Sequence, residues 1–309
     1  MSKPKVDPKV IAEWFEKLQS KTAVAEQLNV SEASVRRGLR SAGVRPYLIP
    51  GYARAKLDAA MESPLTLDVG KLGPGAVTAD WHHPLCNYDL VNEFLGHAVD
   101  IGATNWLVVA GDWFNIDALS AFDFKDERNA NLNREMYGSN ETMSRVLQVF
   151  DRVYLSWGNH DARVHKALGY KVSFSRAMRM MFADLDNDLM DKVNLSNLDY
   201  QLINTPNGRY TVCHPKTYNS IPLSTARKLA AKELTHVITG HSHHTAIGHD
   251  TSGSFVCAEL GGFFDAAKTA YLQRTTTFPK WQNGYGFIDS DGYLTIEGQG
   301  WSNRVGKTV

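Results

Sequence analysis

Side chains that can bind a divalent metal ion recur in short groups between residues 80 and 243. In chain order the groups are Asp80 with His82, Gly111-Asp112, Gly158-Asn159-His160-Asp161, His214, and Gly240-His241-Ser242-His243. Carboxylate, amide and imidazole groups supply the oxygen and nitrogen ligands that suit Mn, Fe, Zn or Ni better than calcium. The pattern therefore predicts a site for transition-metal ions, and paired ions at such a site would carry out hydrolysis.

A short apolar run precedes each of these groups. The runs cover residues 76–79, 106–110, 153–157, 210–213 and 237–239. Runs of this length that end in glycine or a polar residue are typical of buried strands. Ligands at the carboxyl ends of neighbouring strands meet in one crevice of an open α/β sheet. We therefore expect the groups to converge on a single site.

The ordered series D-x-H, G-D, G-N-H-D, H and G-H-x-H resembles the calcineurin-like metallophosphoesterase superfamily over roughly residues 75–300. Each piece is common by itself, whereas the ordered set, with G-N-H-D and G-H-S-H in it, is a specific signal. The resemblance implies an α/β fold, in which two packed β-sheets form a sandwich flanked by helices.

The resemblance also implies a role for each of the matching residues. Asp80, His82 and His243 would hold one metal ion, Asn159, His214 and His241 would hold the second, and Asp112 would bridge both. The two divalent ions would activate water and neutralise charge on the phosphoryl oxygens. Manganese is the expected metal, and iron, zinc and nickel are the alternatives. His160 would be the catalytic proton donor to the leaving group, because a histidine can titrate near pH 7.

The second motif departs from the protein-phosphatase pattern G-D-x-x-D-R-G. Asn115 stands where those members have the carboxylate that orients the catalytic histidine, and Ile116 stands where they have a phosphate-binding arginine. Loss of that arginine removes bidentate recognition of a terminal phosphate, which favours phosphodiester substrates. Asn115 and Asp161 are candidates for supporting the metal ligands. Either Asp117 or Asp161 could orient His160, and the sequence does not decide between them.

Residues 1–46 predict a small all-α domain that resembles a helix-turn-helix module. Helices are expected after Asp7-Pro8, from Thr22, and after the capping residue Ser31, with Asn29 in the turn between the last two. In this motif the last helix enters the major groove of duplex DNA. Arg36, Arg37 and Arg40 would lie on its outward face and contact phosphates or bases. The alternative is a helical docking module with a solvated basic face.

Charge is divided unevenly along a chain whose formal net charge is zero. Residues 1–56 hold eleven Lys and Arg against five Asp and Glu, a balance of +6, so the remainder carries −6. This asymmetry favours nucleic-acid contact by the N-terminal part.

We expect a domain over residues 1–46, a linker rich in proline and glycine over 47–75, a catalytic domain over 76–300, and a tail over 301–309. No apolar stretch approaches the ~20 residues of a membrane span, and the N-terminus lacks the apolar segment of a secretion signal. The three cysteines are far apart, which predicts reduced thiols and a cytoplasmic location. The oligomeric state is left open.

These observations predict a phosphoesterase that uses two metal ions to hydrolyse phosphodiester bonds. One such enzyme would be a DNA nuclease that its helix-turn-helix module recruits to DNA. A small-nucleotide phosphodiesterase or a phosphatase is the alternative enzyme. The alternative outside enzymes is a DNA-binding regulator that uses the phosphoesterase fold as a sensor. A sensor would tolerate missing ligands, and every ligand position is filled here, which favours the enzyme.

Overall fold

A computed structural model describes residues 6–18, 20–44, 63–120, 131–265 and 281–298, and the backbone of 301–304. The chain divides into two compact units, Met1–Met61 and Glu62–Val309. Among the described residues no helix is long and apolar enough to cross a bilayer.

The N-terminal unit contains three helices, α1 (Pro8–Leu18), α2 (Lys21–Gln27) and α3 (Glu32–Ser41). Ser20 and Ser31 cap α2 and α3, because their side-chain oxygens accept the main-chain N–H three residues on. The inward faces pack around the buried side chains of Ile11, Val24, Val35 and Leu39. The predicted small all-α domain is therefore present at the N-terminus.

The second unit is built on two mixed β-sheets, whose strands follow one another in chain order. They are β1 (Thr66–Asp68), β2 (Gly75–Thr78), β3 (Leu107–Ala110), β4 (Val153–Ser156), β5 (Val193–Leu195), β6 (Tyr200–Thr205), β7 (Gly208–Cys213), β8 (His236–Thr239), β9 (Thr245–His249), β10 (Val256–Leu260), β11 (Gly284–Ile288), β12 (Leu294–Gly298) and β13 (Trp301–Arg304). Within the described residues the larger sheet has the order β13-β12-β11-β2-β3-β4-β5, and the smaller has the order β1-β6-β7-β8-β10-β9. Strands β2 to β5 are parallel, as are β7, β8 and β10.

Helices cover the outer face of the larger sheet, and one helix packs on the face of the smaller sheet against β8 and β10. They are α4 (Val69–Leu72), α5 (Tyr88–Asp100), α6 (Leu132–Val149), α7 (Ala162–Ala167), α8 (Phe174–Met181), α9 (Asn187–Met190) and α10 (Ser224–Glu233), with a 3₁₀ turn at Asp117–Leu119. Asn87 and Asn131 cap the two longest of these, α5 and α6, through their side-chain oxygens.

The larger sheet separates the two main layers of the core, and a third, smaller layer lies between the smaller sheet and α10. On β3, Leu107 and Val109 face the helices, while Val108 and Ala110 face the smaller sheet and pack with residues such as Ile238. This alternation follows from the two-residue period of a strand. The predicted α/β sandwich of two sheets flanked by helices is confirmed.

The second unit extends further at both ends than the sequence predicts. Thr66–Asp68 lies in the expected linker but pairs with β6, and Trp301–Arg304 lies in the expected tail but pairs with β12. Both strands are short and lie at sheet edges, so their pairing depends on distant partners and leaves little periodic signal. Most of the expected linker, residues 47–62, is outside the described part of the chain.

Candidate metal centre

The predicted ligands all follow strands whose carboxyl ends lie at one side of the sandwich. The loops after β2 and β3 are joined by a hydrogen bond from the Asp80 N–H to the Gly111 carbonyl, 3.1 Å long. The loops after β7 and β8 are joined likewise, by the Gly240 N–H and the Cys213 carbonyl at 3.1 Å. The parallel pairing of each set of strands therefore places all the motif loops around one crevice.

Several of the predicted ligands share an unusual backbone conformation. The left-handed residues are Asp80 (φ 54°), His82 (φ 51°), Asp112 (φ 52°), His241 (φ 74°) and His243 (φ 54°). Residues other than glycine pay a steric cost in this region, and such residues cluster at functional sites. The strained turns aim successive side chains into the crevice, and no local sequence signal announces them.

The first group of ligands consists of Asp80, His82 and His243, which are almost fully buried. Asp80 Oδ1 lies 3.2 Å from His243 Nε2 and 3.6 Å from His82 Nε2. The two Nε2 atoms are themselves 3.2 Å apart. Three ligand atoms from two loops, those after β2 and β8, thus point toward one another, as they would around a shared cation.

The second group contains Asp112, Asn159, His214 and His241. His214 Nε2 lies 3.3 Å from Asp112 Oδ2 and 2.9 Å from Asn159 Oδ1. A ring nitrogen of His241 lies within 4.8 Å of the ligand atoms of Asp112 and His214. Asp112 Oδ2 is also 3.9 Å from His82 Nε2, so this carboxylate lies between the two groups.

The two buried carboxylates divide their oxygens between the fold and the site. Asp80 Oδ2 accepts the His241 main-chain N–H at 2.8 Å, and Asp112 Oδ1 accepts the His160 N–H at 2.8 Å. Asp80 Oδ1 has no hydrogen-bond partner although it is buried. In each carboxylate the second oxygen is therefore left facing the imidazoles.

Electrostatics favour the ionised form of both carboxylates. Burial alone raises the pKa of Asp80, but the neighbouring His243 and His82 hold it well below its ordinary value. Burial likewise opposes ionisation of Asp112, yet His214, His160 and His82 lower its pKa. Ionised carboxylates among imidazoles, with a buried oxygen that lacks a partner, form a donor set that fits two divalent transition-metal ions. Metal binding by these residues stays a prediction.

His160 lies beside the second group, and its orientation is set by the main chain. Its Nδ1 donates a hydrogen bond to the Asn115 carbonyl oxygen at 2.8 Å, so Nε2 is the nitrogen that faces the ligands. The ring lies edge-on to His82, with the two centroids 4.6 Å apart. Burial lowers the pKa of His160, and Arg163 and His82 add to this effect. An anionic substrate beside the ring would act in the opposite direction.

Neither carboxylate suggested by the sequence orients His160. Asp117 instead pairs with Arg163, 3.1 Å away. Asp161 is buried and accepts the N–H groups of Phe114 and Gly158, each at 3.0 Å, which ties the second and third motif loops together. The expectation fails because the acceptor is a main-chain carbonyl, which residue types do not reveal. Asp161 does support the ligand loops, and Asn115 does so through its backbone.

Three further residues support the centre and were missed. Glu135 of α6 is buried and accepts the Ile116 N–H. Glu259 of β10 lies 3.2 Å from His244 Nδ1, beside the fifth-motif loop that carries His241 and His243. Arg163 donates to the carbonyls of Asn115 and Ile116 at 2.8 and 3.3 Å. Only Arg163 had a sequence signal, its place three residues after His160.

The predicted DNA contacts lie in the N-terminal unit. Arg36, Arg37 and Arg40 are all exposed on α3, while Val35 and Leu39 of the same helix are buried. The expected outward face is thus observed, and contact with DNA stays a prediction.

Comparison with known proteins places this geometry in context. A family model described as calcineurin-like phosphoesterase matches residues 74–259. No curated protein sequence matches the chain. Among solved structures, Vacuolar Protein Sorting 29 from Cryptosporidium parvum is similar, with 13% identity, a TM-score of 0.41, and coverage of 75% of this chain and 94% of that one. Vps29 from Chaetomium thermophilum has 13% identity, a TM-score of 0.40 and coverage of 75% and 92%. A Thermus thermophilus protein, TT1561, has 10% identity, a TM-score of 0.39 and coverage of 74% and 99%.

Proposed function

The chain belongs to the calcineurin-like phosphoesterase family, and we propose that it hydrolyses phosphodiester bonds with two divalent transition-metal ions, manganese first among them. The observation that carries the proposal is the position of Asp112. Its Oδ2 lies 3.3 Å from His214 and 3.9 Å from His82, which belong to different ligand groups. A carboxylate in that place suits a ligand shared by two ions.

The chain's own residues would divide the remaining work. Two bound ions supply an activated water and neutralise charge on the phosphoryl oxygens. The main-chain N–H groups of His241 and His160 keep Asp80 and Asp112 aimed at the site. His160, held by the Asn115 carbonyl, presents Nε2 to the leaving-group oxygen and gives it a proton.

Phosphodiesters are favoured over phosphomonoesters by the second motif. Ile116 stands in place of the phosphate-binding arginine of the protein phosphatases. Its side chain is fully buried in the core layer between the larger sheet and its helices. Its side chain therefore offers the substrate neither charge nor a hydrogen bond. A dianionic terminal phosphate would lack bidentate recognition from this position.

The test is metal analysis combined with a panel of substrates. Manganese-loaded protein should hold about two equivalents of metal and should cleave a bis-aryl phosphodiester faster than an aryl phosphomonoester. Asp112→Ala should lose metal and nearly all activity, because this carboxylate would be a ligand of both ions. Full activity of that variant would refute the proposal. Adding single- and double-stranded DNA and cyclic nucleotides to the panel separates a nuclease from a small-nucleotide phosphodiesterase, and binding without turnover would indicate a sensor.

A second proposal concerns the N-terminal unit, which we infer recruits the enzyme to duplex DNA. The supporting observation is the set of exposed guanidinium groups on one face of α3, from Arg36, Arg37 and Arg40. Arginine side chains on the exposed face of such a helix suit phosphate and base-edge contacts. The expected behaviour of a truncated protein is given in the Discussion.

A further inference from the structure

Arg163 lies at the start of α7, three residues after His160, and one end of its guanidinium is tied to the second-motif loop. Its Nη1 donates to the Asn115 carbonyl at 2.8 Å, to the Ile116 carbonyl at 3.3 Å and to Asp117 Oδ1 at 3.1 Å. The side chain is 15% exposed and that of Asp117 is 19% exposed, so the pair is largely shielded from water. These contacts hold the guanidinium in one place.

The other end of the guanidinium faces the catalytic ring. Nη2 lies 3.5 Å from His160 Nε2, which accepts its N–H in the neutral ring because Nδ1 donates to the Asn115 carbonyl. Within the described part of the chain, Nη2 makes no hydrogen bond to a carbonyl or a carboxylate. A guanidinium N–H group therefore lies directly beside Nε2, the nitrogen of His160 that faces the ligand groups.

We propose that Arg163 is a catalytic residue whose Nη2 donates a hydrogen bond to the ester oxygen that His160 protonates. This inference rests on the proposed phosphodiester hydrolysis and assigns a second donor to the leaving-group side. In that step water forms a new bond to phosphorus and the ester P–O bond breaks. The leaving oxygen keeps the electron pair of that bond and takes a proton from His160. The attacking water releases a proton, which then reprotonates His160. Arg163 stays charged throughout.

The geometry also explains how the chain manages without an arginine at position 116. Ile116 points into the core, but its own carbonyl and that of Asn115 anchor Arg163 instead. A guanidinium thus returns to the site from the third motif, on the side of His160. A lysine at this place has a single nitrogen, so it cannot hold the loop and reach the substrate together.

The test uses full-length, metal-loaded protein and a series of aryl and alkyl phosphodiesters with leaving groups of rising pKa. In Arg163→Met the turnover of poor leaving groups should fall roughly 10–100-fold, because charge on the departing oxygen loses a donor. Turnover of a nitrophenyl ester should fall less than about threefold, since that oxygen needs little stabilisation. Arg163→Lys should recover part of the loss. Arg179→Met is the matched control, because Arg179 is an exposed arginine that pairs with Asp191 on the surface.

Binding provides a readout that does not depend on turnover. The affinity of the metal-loaded protein for inorganic phosphate, measured by calorimetry, should fall roughly tenfold in Arg163→Met, because a charge-assisted hydrogen bond is lost. It should be unchanged in Arg179→Met. Metal content and circular dichroism of each variant show whether the centre and fold survive, and Arg163→Lys serves if the methionine variant does not.

Two results would overturn the role of Arg163. One is a uniform loss across leaving groups, shared equally by Asp117→Asn, which would mean that the ion pair only braces the loop. The other is phosphate affinity equal to that of the wild type. Failure of the proposed function would give a different result, because the wild-type protein would then cleave none of the esters. The phosphate affinity of Arg163→Met would still test whether Arg163 contacts the anion.

Discussion

At the scale of single residues, the centre depends on polar groups that are paired on one side and directed into the crevice on the other. Asp80 and Asp112 each use one oxygen to accept a main-chain N–H. His160 Nδ1 and Arg163 Nη1 both donate to the carbonyl oxygen of Asn115. This division fixes the orientation of each side chain before any ligand arrives, which lowers the cost of organising a transition state.

His160→Ala should lower turnover by roughly 10²–10⁴-fold, as expected for loss of a general acid. Metal content should persist, because the contact to Asp112 comes from the main-chain N–H of residue 160, which alanine retains. The loss should be smaller for a nitrophenyl ester than for an alkyl ester. His249→Ala, at an exposed position, is the control. Equal losses for good and poor leaving groups would argue against proton donation.

Glu135 makes stability depend on pH. Burial raises the pKa of this carboxyl from 4.5 to about 8, with a further increase from Asp117 and Asp161 and an opposing effect of the Ile116 N–H. Its pKa is thus higher in the folded than in the unfolded chain. The stabilisation is full below pH 4.5 and is lost as pH rises to about 8.

Glu135→Gln removes this titration. The unfolding free energy of the variant relative to the wild type should therefore increase with pH between those limits, by at most about 1.4 kcal/mol per pH unit. Urea unfolding at several pH values and a fixed metal concentration measures this difference in unfolding free energy. Both proteins have the same metal ligands, so the contribution of metal binding cancels in the difference. Glu141→Gln, at an exposed position on the same helix, should show no such trend. A pH-independent difference for Glu135→Gln would contradict the buried, protonated carboxyl.

At the scale of elements, the motif glycines let successive strand-end loops approach one another. A Cβ on Gly158 would lie 2.1 Å from Asp112 Oδ1, and one on Gly240 would lie 2.7 Å from Asp80 Oδ2. Gly111 has a positive φ of 77°, and a Cβ there would lie 2.7 Å from the Gly158 nitrogen. The loops of Gly158 and Gly240 therefore each pack against a carboxylate that belongs to another loop.

Gly158→Ala should displace the Asp112 carboxylate and weaken metal binding by roughly 10–100-fold, a range typical of damaged support around metal ligands. Equilibrium dialysis against manganese measures the affinity. Gly96→Ala is the matched control, since a Cβ at that position on α5 meets nothing within 4 Å. Unchanged metal affinity in Gly158→Ala would show that the loops yield more easily than this packing suggests.

At the scale of the whole molecule, charge and structure divide at the same part of the chain. The balance of +6 falls within residues 1–56, and the compact N-terminal unit lies within Met1–Met61. The second unit has its own core, with one cluster on each side of the larger sheet and a third beneath α10. Because each unit has its own core, we expect each to have a function of its own.

Deletion of residues 1–50 should weaken binding to duplex DNA and flatten its salt dependence. Each phosphate contact made by Arg36, Arg37 or Arg40 adds about 0.9 to the salt slope. Hydrolysis of a small aryl phosphodiester should persist, because the ligand groups belong to the other unit. Fluorescence anisotropy at several salt concentrations tests the first point and a colorimetric assay the second. Unchanged DNA binding would refute recruitment, and a metal-loaded but inactive truncation would mean that the N-terminal helices complete the site.

The sequence by itself predicted strands β2, β3, β4, β7 and β8 and the polar side chains that lie at their carboxyl ends. Both follow from local signals, because a short apolar run predicts a buried strand and a ligand directly after it must lie at that strand's end. The runs at 106–110 and 153–157 match β3 and β4 to within one residue. The capped helices of the N-terminal unit were predictable for the same reason.

Only the tertiary structure decided how the site is oriented. The acceptor for His160 is a main-chain carbonyl 45 residues away, and Glu135 reaches the Ile116 N–H across 19 residues. Arg163 meets Asp117 across 46 residues. Neither residue type nor spacing encodes such contacts, because they depend on how α6 and α7 pack against the loop after β3. The sequence therefore predicted which side chains gather, while the packing of distant elements decided which of their atoms face the substrate.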